Sequence, residues 1–241
     1  MFSLFGKKDK SKASQPGGGI QPVILQMRET LYSNASLEPM LNRIKEDAKT
    51  NFPWSNFVEA DQASKKNDAA RAITLLKQIV DTGELNTRIY LQAWHTLMSL
   101  GKQPPESLRG VIQGVVVEYN MPDKGLDIVA AYADHTARYW NYSGAGIVWE
   151  IRDPEIDKLI DDLLKVGQEI MNRIGAEPRE NLPIPTPGKL RIFLMAYNGS
   201  SFGEGLYDQL IKDQMGNYAI NASYNLMMGL MKMQEKNRNK A

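Results

Sequence analysis

Cysteine is absent from the 241 residues, and histidine occurs only twice, as His95 and His135. The first absence removes disulfides, thiolate metal sites and cysteine nucleophiles. The second leaves too few imidazoles for a structural zinc site without thiolates. There is no H-E-x-x-H pair and no calcium-loop pattern. The expectation is therefore no metal and no cofactor. No apolar run approaches the ~20 residues that cross a bilayer. At the N-terminus the short apolar stretch of Phe2, Leu4 and Phe5 comes before Lys7 and Lys8, the reverse of a secretory signal. A cytoplasmic protein is expected, and without secretion the Asn-x-Ser matches at Asn34, Asn141, Asn198 and Asn221 are chance.

A net excess of either sign is also lacking, at +1 overall, but the charge is unevenly spread. Residues 1–20 carry Lys7, Lys8, Lys10 and Lys12 against Asp9, and residues 232–241 carry Lys232, Lys236, Arg238 and Lys240 against Glu235. Each end is +3, which leaves −5 for the body between them. An acidic body with basic ends lacks the dense cationic face that phosphate backbones require, so nucleic acid is excluded as a partner. Phe2, Leu4 and Phe5 beside lysines can touch an anionic membrane surface, but one weak anchor binds only marginally. A solvated tail is the expected state of residues 1–20, whose Lys, Ser and Gly content cannot bury apolar area.

Hydrophobic residues make up 42% of the chain, enough for a packed core. The periodicity divides it into a disordered basic tail over 1–20, a helical region over 21–107, an antiparallel sheet with helices over 108–236, and the end of a basic tail over 237–241. In the helical region Ala72, Ile73, Leu76, Ile79 and Val80 recur at helical spacing after a cap at Asn67 or Asp68, and Tyr90, Ala93, Trp94, Leu97 and Met98 do so after a cap at Asn86 or Thr87. Four short strands then follow between Val111 and Ile151, joined by turns too short for parallel crossovers. Asp153 and Pro154 open a long helix with Ile156, Leu159, Ile160, Leu163, Leu164, Gly167, Ile170, Met171 and Ile174 on one stripe, which should cover one sheet face. Residues 189–197 alternate Leu190, Ile192, Leu194 and Ala196 against Lys189 and Arg191, which predicts a fifth, half-exposed strand. A glycine-rich turn, a short helix near 206–211 and a last helix over about 217–235 complete an α+β fold. That fold class is an antiparallel sheet of four to five strands packed against helices.

Gly199-Ser200-Ser201-Phe202-Gly203 matches the G-x-S-x-G nucleophile elbow between a predicted strand and helix. That mechanism needs an acid and a histidine after the serine, whereas both histidines precede Ser201. The strands before it also form a meander rather than a parallel sheet, so a plain glycine-serine turn is expected. His135 sits in the turn Asp134-His135, where it can act as an exposed acid–base or serve as a turn residue that tolerates an unusual backbone angle. Asp153, Glu155 and Asp157 open a helix and complement its dipole, which suffices to explain them.

Two features point to binding instead. Tyr139 and Trp140 must lie on opposite sheet faces, so one large aromatic lies on the face that the 156–174 helix leaves open, a contact surface unless the N-terminal helices or the last helix cover it. Methionine suits contacts that repack, and the last helix holds Met227, Met228, Met231 and Met233. The candidate protein-contact residues are Tyr139, Trp140, Tyr142 and Trp149 on the sheet and Met227, Met228 and Met231 on the helix. The expected function is a non-enzymatic, cytoplasmic protein-binding module of adaptor, chaperone or inhibitor type, whose partner is another protein. The alternatives are an enzyme or small-molecule binder built around Ser201 or His135, and a peripheral membrane protein held by its N-terminal tail.

Overall fold

The computed structural model describes residues 22–177 and 182–238. The tail expected over 1–20, with Phe2, Leu4 and Phe5, lies outside the described residues. So do the last residues of the basic C-terminal end.

Five helices come first: α1 (Pro22–Glu29), α2 (Leu37–Leu41), α3 (Trp54–Lys65), α4 (Ala69–Val80) and α5 (Thr87–Ser99). Local chemistry sets their starts. Asp68 accepts a hydrogen bond from Arg71 N at the head of α4, and Asn86 accepts one from Arg88 N at the head of α5. Leu37, Leu41, Phe57, Leu76, Ile79 and Leu97 from α2 to α5 bury one another in a helical core of their own.

The strands β1 (Ile112–Met121), β2 (Gly125–Tyr132), β3 (Ala137–Trp140) and β4 (Gly146–Trp149) form an antiparallel meander. Helix α6 (Pro154–Ile174) crosses back, and β5 (Lys189–Ala196) and β6 (Gly199–Leu206) add to the free side of β1. The order is β4-β3-β2-β1-β5-β6, antiparallel throughout. The fold is α+β as expected, with six strands instead of four to five. The additional strand is the supposed glycine-rich turn. Its eight residues pair with β5 in continuous register from Lys189↔Leu206 to Ala196↔Gly199. After it come α7 (Tyr207–Leu210) and α8 (Gln214–Arg238).

Each sheet face has its own cover. Val115, Val117, Val129, Ala131, Ile192 and Leu194 face α6 and α8. Asp153 caps α6 through Glu155 N and Ile156 N, with Pro154 in the first turn. Five apolar side chains of α6 are buried, Ile156, Ile160, Leu163, Leu164 and Met171, which stabilises by roughly 10 kcal/mol before entropy is counted. Gly167 is the point of closest approach, since a Cβ there would lie 2.6 Å from Val115 Cγ2.

The opposite face carries Val116, Leu126, Ile128, Tyr132, Phe193 and Met195, and meets Ile24 of α1, Leu31, Tyr32 and Leu91 of α5. The turn between β2 and β3 is tied to α5 reciprocally: Thr87 N donates to Asp134 Oδ2 at 2.8 Å, and Asp134 N donates to Thr87 Oγ1 at 3.1 Å. Because both faces are covered, β5 is buried along nearly its whole length and Arg191 with it. The expectation of a half-exposed strand is corrected by this second cover.

Candidate functional site

The predicted contact residues separate into three groups. Tyr139 and Trp149 are buried in the cluster under α6 and α8. Trp140 is half-buried on the other face, its indole lying across its cross-strand partner Gly146. Tyr142 is exposed in the β3–β4 turn, where its N–H donates to Asp127 Oδ1 at 2.8 Å. On α8, Met227 and Met231 pack partly against the core and Met228 is 40% exposed.

The residues considered for chemistry do not converge. Ser201 is buried on β6, and its hydroxyl donates to the Gly175 carbonyl at the end of α6. His135 adopts φ +61° in its turn and places Nε2 3.0 Å from Asp161 Oδ1. Asp161 and Gly175 are separated by about 20 Å of α6 at ~1.5 Å per residue. The imidazole of His135 and the hydroxyl of Ser201 are therefore far beyond hydrogen-bonding reach of each other. His95 lies half-buried on α5, beside a small cavity that Ser200 and Tyr197 also line. Among the described residues, no group of three or more His, Asp or Glu side chains can hold a metal ion.

The outer face of α8 has a different character. From Gln214 to Met231 the helix contains no charged residue. Its exposed positions Gln214, Tyr218, Asn221, Asn225 and Met228 recur at alternating spacings of four and three, with Tyr224 beside them. Tyr218 is 48% exposed and Tyr224 37%. Helix α7, which touches α8, adds exposed Tyr207, and Leu206 at the end of β6 is exposed beside it. A stripe at this spacing is what one helix offers another, and charge depletion with Tyr and Met enrichment marks the core of protein interfaces.

The inner face holds this surface rigid. Leu226, Leu230 and Met233 are buried with α6 and the sheet. A Cβ at Gly229 would lie 2.5 Å from Leu159 Cδ1, so the two helices nearly touch there. Tyr119 Oη of β1 is 2.5 Å from Ser223 Oγ, and Lys232 Nζ is 2.8 Å from Glu155 Oε1. Burial raises the Tyr119 phenol above its ordinary value, so it stays neutral and able to donate.

Comparison with known proteins leaves the geometry to speak alone. No family model, curated protein or solved structure matches the chain.

Sequence reasoning missed a buried charge cluster on the second sheet face. Glu118 of β1 is fully buried. Its Oε1 accepts from Arg28 Nε, and its Oε2 accepts from Arg28 Nη2 and Arg191 Nη1, each at 3.2 Å. Arg191 also donates to Glu204 Oε2 of β6, from Nε at 3.0 Å and Nη2 at 2.5 Å, and to the Pro183 carbonyl at 2.6 Å. Burial opposes the charge on Arg28, but Glu118 outweighs it and leaves the guanidinium above its usual value. With both Glu118 oxygens occupied by guanidinium donors, the cluster joins α1, β1, β5 and β6. It offers no free acid or base for catalysis.

Proposed function

We propose that the chain is a non-enzymatic protein-binding module, and that its partner lays a helix along the outer stripe of α8. The observation that carries this reading is the uncharged run from Gln214 to Met231, exposed at helix-pairing spacing and braced from behind by α6 and Tyr119. A solvated helix face ordinarily carries charge, as α6 does with Glu155, Lys158, Asp162 and Lys165. Tyr218, Tyr224 and Met228 supply contact area. Asn221 and Asn225 supply hydrogen bonds that fix register, as polar residues do in paired helices.

The test is site-specific photo-crosslinking in the native host, with benzoylphenylalanine at Asn221 or Asn225 and, for comparison, at Lys165 or Glu169 on α6. The reading expects one defined adduct from the α8 positions, absent from the α6 positions and lost in Tyr218→Arg/Met228→Arg. Equal labelling from both helices, or none from α8, overturns it. The adduct mass separates a second copy of this chain from a different protein.

A further inference from the structure

We infer that the helix received along α8 is the α8 of a second copy of this chain, running antiparallel, in a twofold-symmetric dimer. The inference rests on the reading of α8 as a helix-docking face and names its partner. The exposed residues Gln214, Tyr218, Asn221, Asn225, Met228 and Lys232 follow one another at spacings of four, three, four, three and four. That is a heptad seam, about 27 Å long at ~1.5 Å per residue. Any such seam is symmetric in position, but here the residue types are symmetric too. Counted outward from the level of Ser223, the two asparagines come first on either side, then Tyr218 and Met228, then the polar pair Gln214 and Lys232.

A twofold axis at the level of Ser223 brings the seam onto itself layer by layer, as an isologous interface requires. Tyr218 then meets Met228 of the second copy, a sulfur–aromatic pairing. Asn221 meets Asn225 of the second copy. Asn221 Nδ2 donates to Asn217 Oδ1 at 2.6 Å, which leaves its carbonyl oxygen to accept from the facing amide. Charge at the two ends selects the antiparallel direction. Near the start of α8 the exposed Asp208, Lys212 and Asp213 sum to −1. Near its end Lys232 is paired with Glu155, and beyond that pair Lys236 and Arg238 against Glu235 leave +1. The antiparallel arrangement sets these ends against each other and opposes the two helix dipoles. A parallel pair sets Lys232 on Lys232 and one basic end on the other. A seam of one helix per copy is small for an interface, so the dimer is weak and depends on concentration.

The chain has no cysteine, so an introduced one reports contacts without background. Purified full-length Gln214→Cys and Lys232→Cys, mixed and treated with a short bismaleimide, are expected to give a covalent dimer. Either variant alone is expected to give none, because its symmetry mate lies about 27 Å away along the helix. Sedimentation of the unaltered chain is expected to move from monomer to dimer between micromolar and millimolar concentration. Tyr218→Arg/Met228→Arg is expected to stay monomeric with an unchanged melting temperature, and to abolish the cross-link when added to both cysteine variants. Linkage of either cysteine variant alone as strong as in the mixture overturns the inference. So does a monomer at every concentration, or a cross-link that survives the two arginines. A monomer here, with a host photo-adduct of another mass, refutes the second copy and leaves the docking face standing. The lack of any α8 adduct in the host refutes the docking face itself.

Discussion

Replacing Arg28 by methionine tests whether the buried charge cluster is a structural lock. The change keeps the aliphatic stem and removes the guanidinium, which provides two of the three hydrogen bonds reaching Glu118. Arg191 remains, but its donors also serve Glu204 and the Pro183 carbonyl. Removing one partner of a buried ion pair costs about 3–5 kcal/mol, because the charge left behind has no water to turn to. The surviving Arg191 contact puts the expected loss near 3 kcal/mol, a large part of the ~5–15 kcal/mol that holds a domain folded. Urea denaturation, followed by far-UV circular dichroism with the slope held common, measures it. The companion variant is Arg28→Met/Glu118→Leu. If the pair is coupled, the double variant loses at least 2 kcal/mol less than the sum of the two singles. A loss under 1 kcal/mol in Arg28→Met, or strict additivity in the cycle, refutes the lock.

Three further outcomes are expected. Gly146→Ala places a methyl 1.7 Å from Trp140 Cε3, so the indole must leave its seat; about 1–3 kcal/mol is lost and tryptophan emission shifts to the red. Asp153→Ala removes the cap of α6 and costs ~1 kcal/mol in the same urea assay. In pH titrations of stability, two carboxylates act with opposite sign. Burial alone raises Glu204, but its bonds to Arg191 and Lys189 override this and leave it below its ordinary value of 4.5. Its contribution is therefore present above that pH and lost on acidification, so Glu204→Gln flattens the acid limb. Burial raises Asp127 in spite of hydrogen bonds from Tyr142 N and Tyr139 Oη. Its contribution is full below about pH 4 and lost as the pH rises through its folded-state value, so Asp127→Asn removes a decline on that side.

The parts of the fold legible in the sequence are those where local chemistry and pattern agree. Asp153, Pro154 and the stripe from Ile156 to Met171 specify α6 without tertiary help. The tight turns between Val111 and Ile151 specify antiparallel pairing. Strand β6 was not legible because Gly199, Gly203 and Gly205 break β propensity, and its pairing comes from β5, with one further bridge between Ser200 and Glu177. Arg191 looked like a solvent-facing partner to Leu190 and Ile192, because alternation cannot show that a second layer of helices will cover the polar face. Glu118 did leave a signal. It follows Val115, Val116 and Val117, and a carboxylate in a strand apolar on both faces requires a buried cation. Which cation could not be read, since Arg28 lies 90 positions away.

Strand β1 lies in the middle of the sheet, yet only one of its neighbours follows at once. Its other neighbour brings Arg191, 73 residues after Glu118. At ~5–20 residues per second, a ribosome takes roughly 4–15 s to supply it. For that interval a nascent valine-rich strand shows an open hydrogen-bonding edge and an acidic group awaiting one of its counterions. This interval is when the polypeptide most needs shelter from its neighbours in the cell.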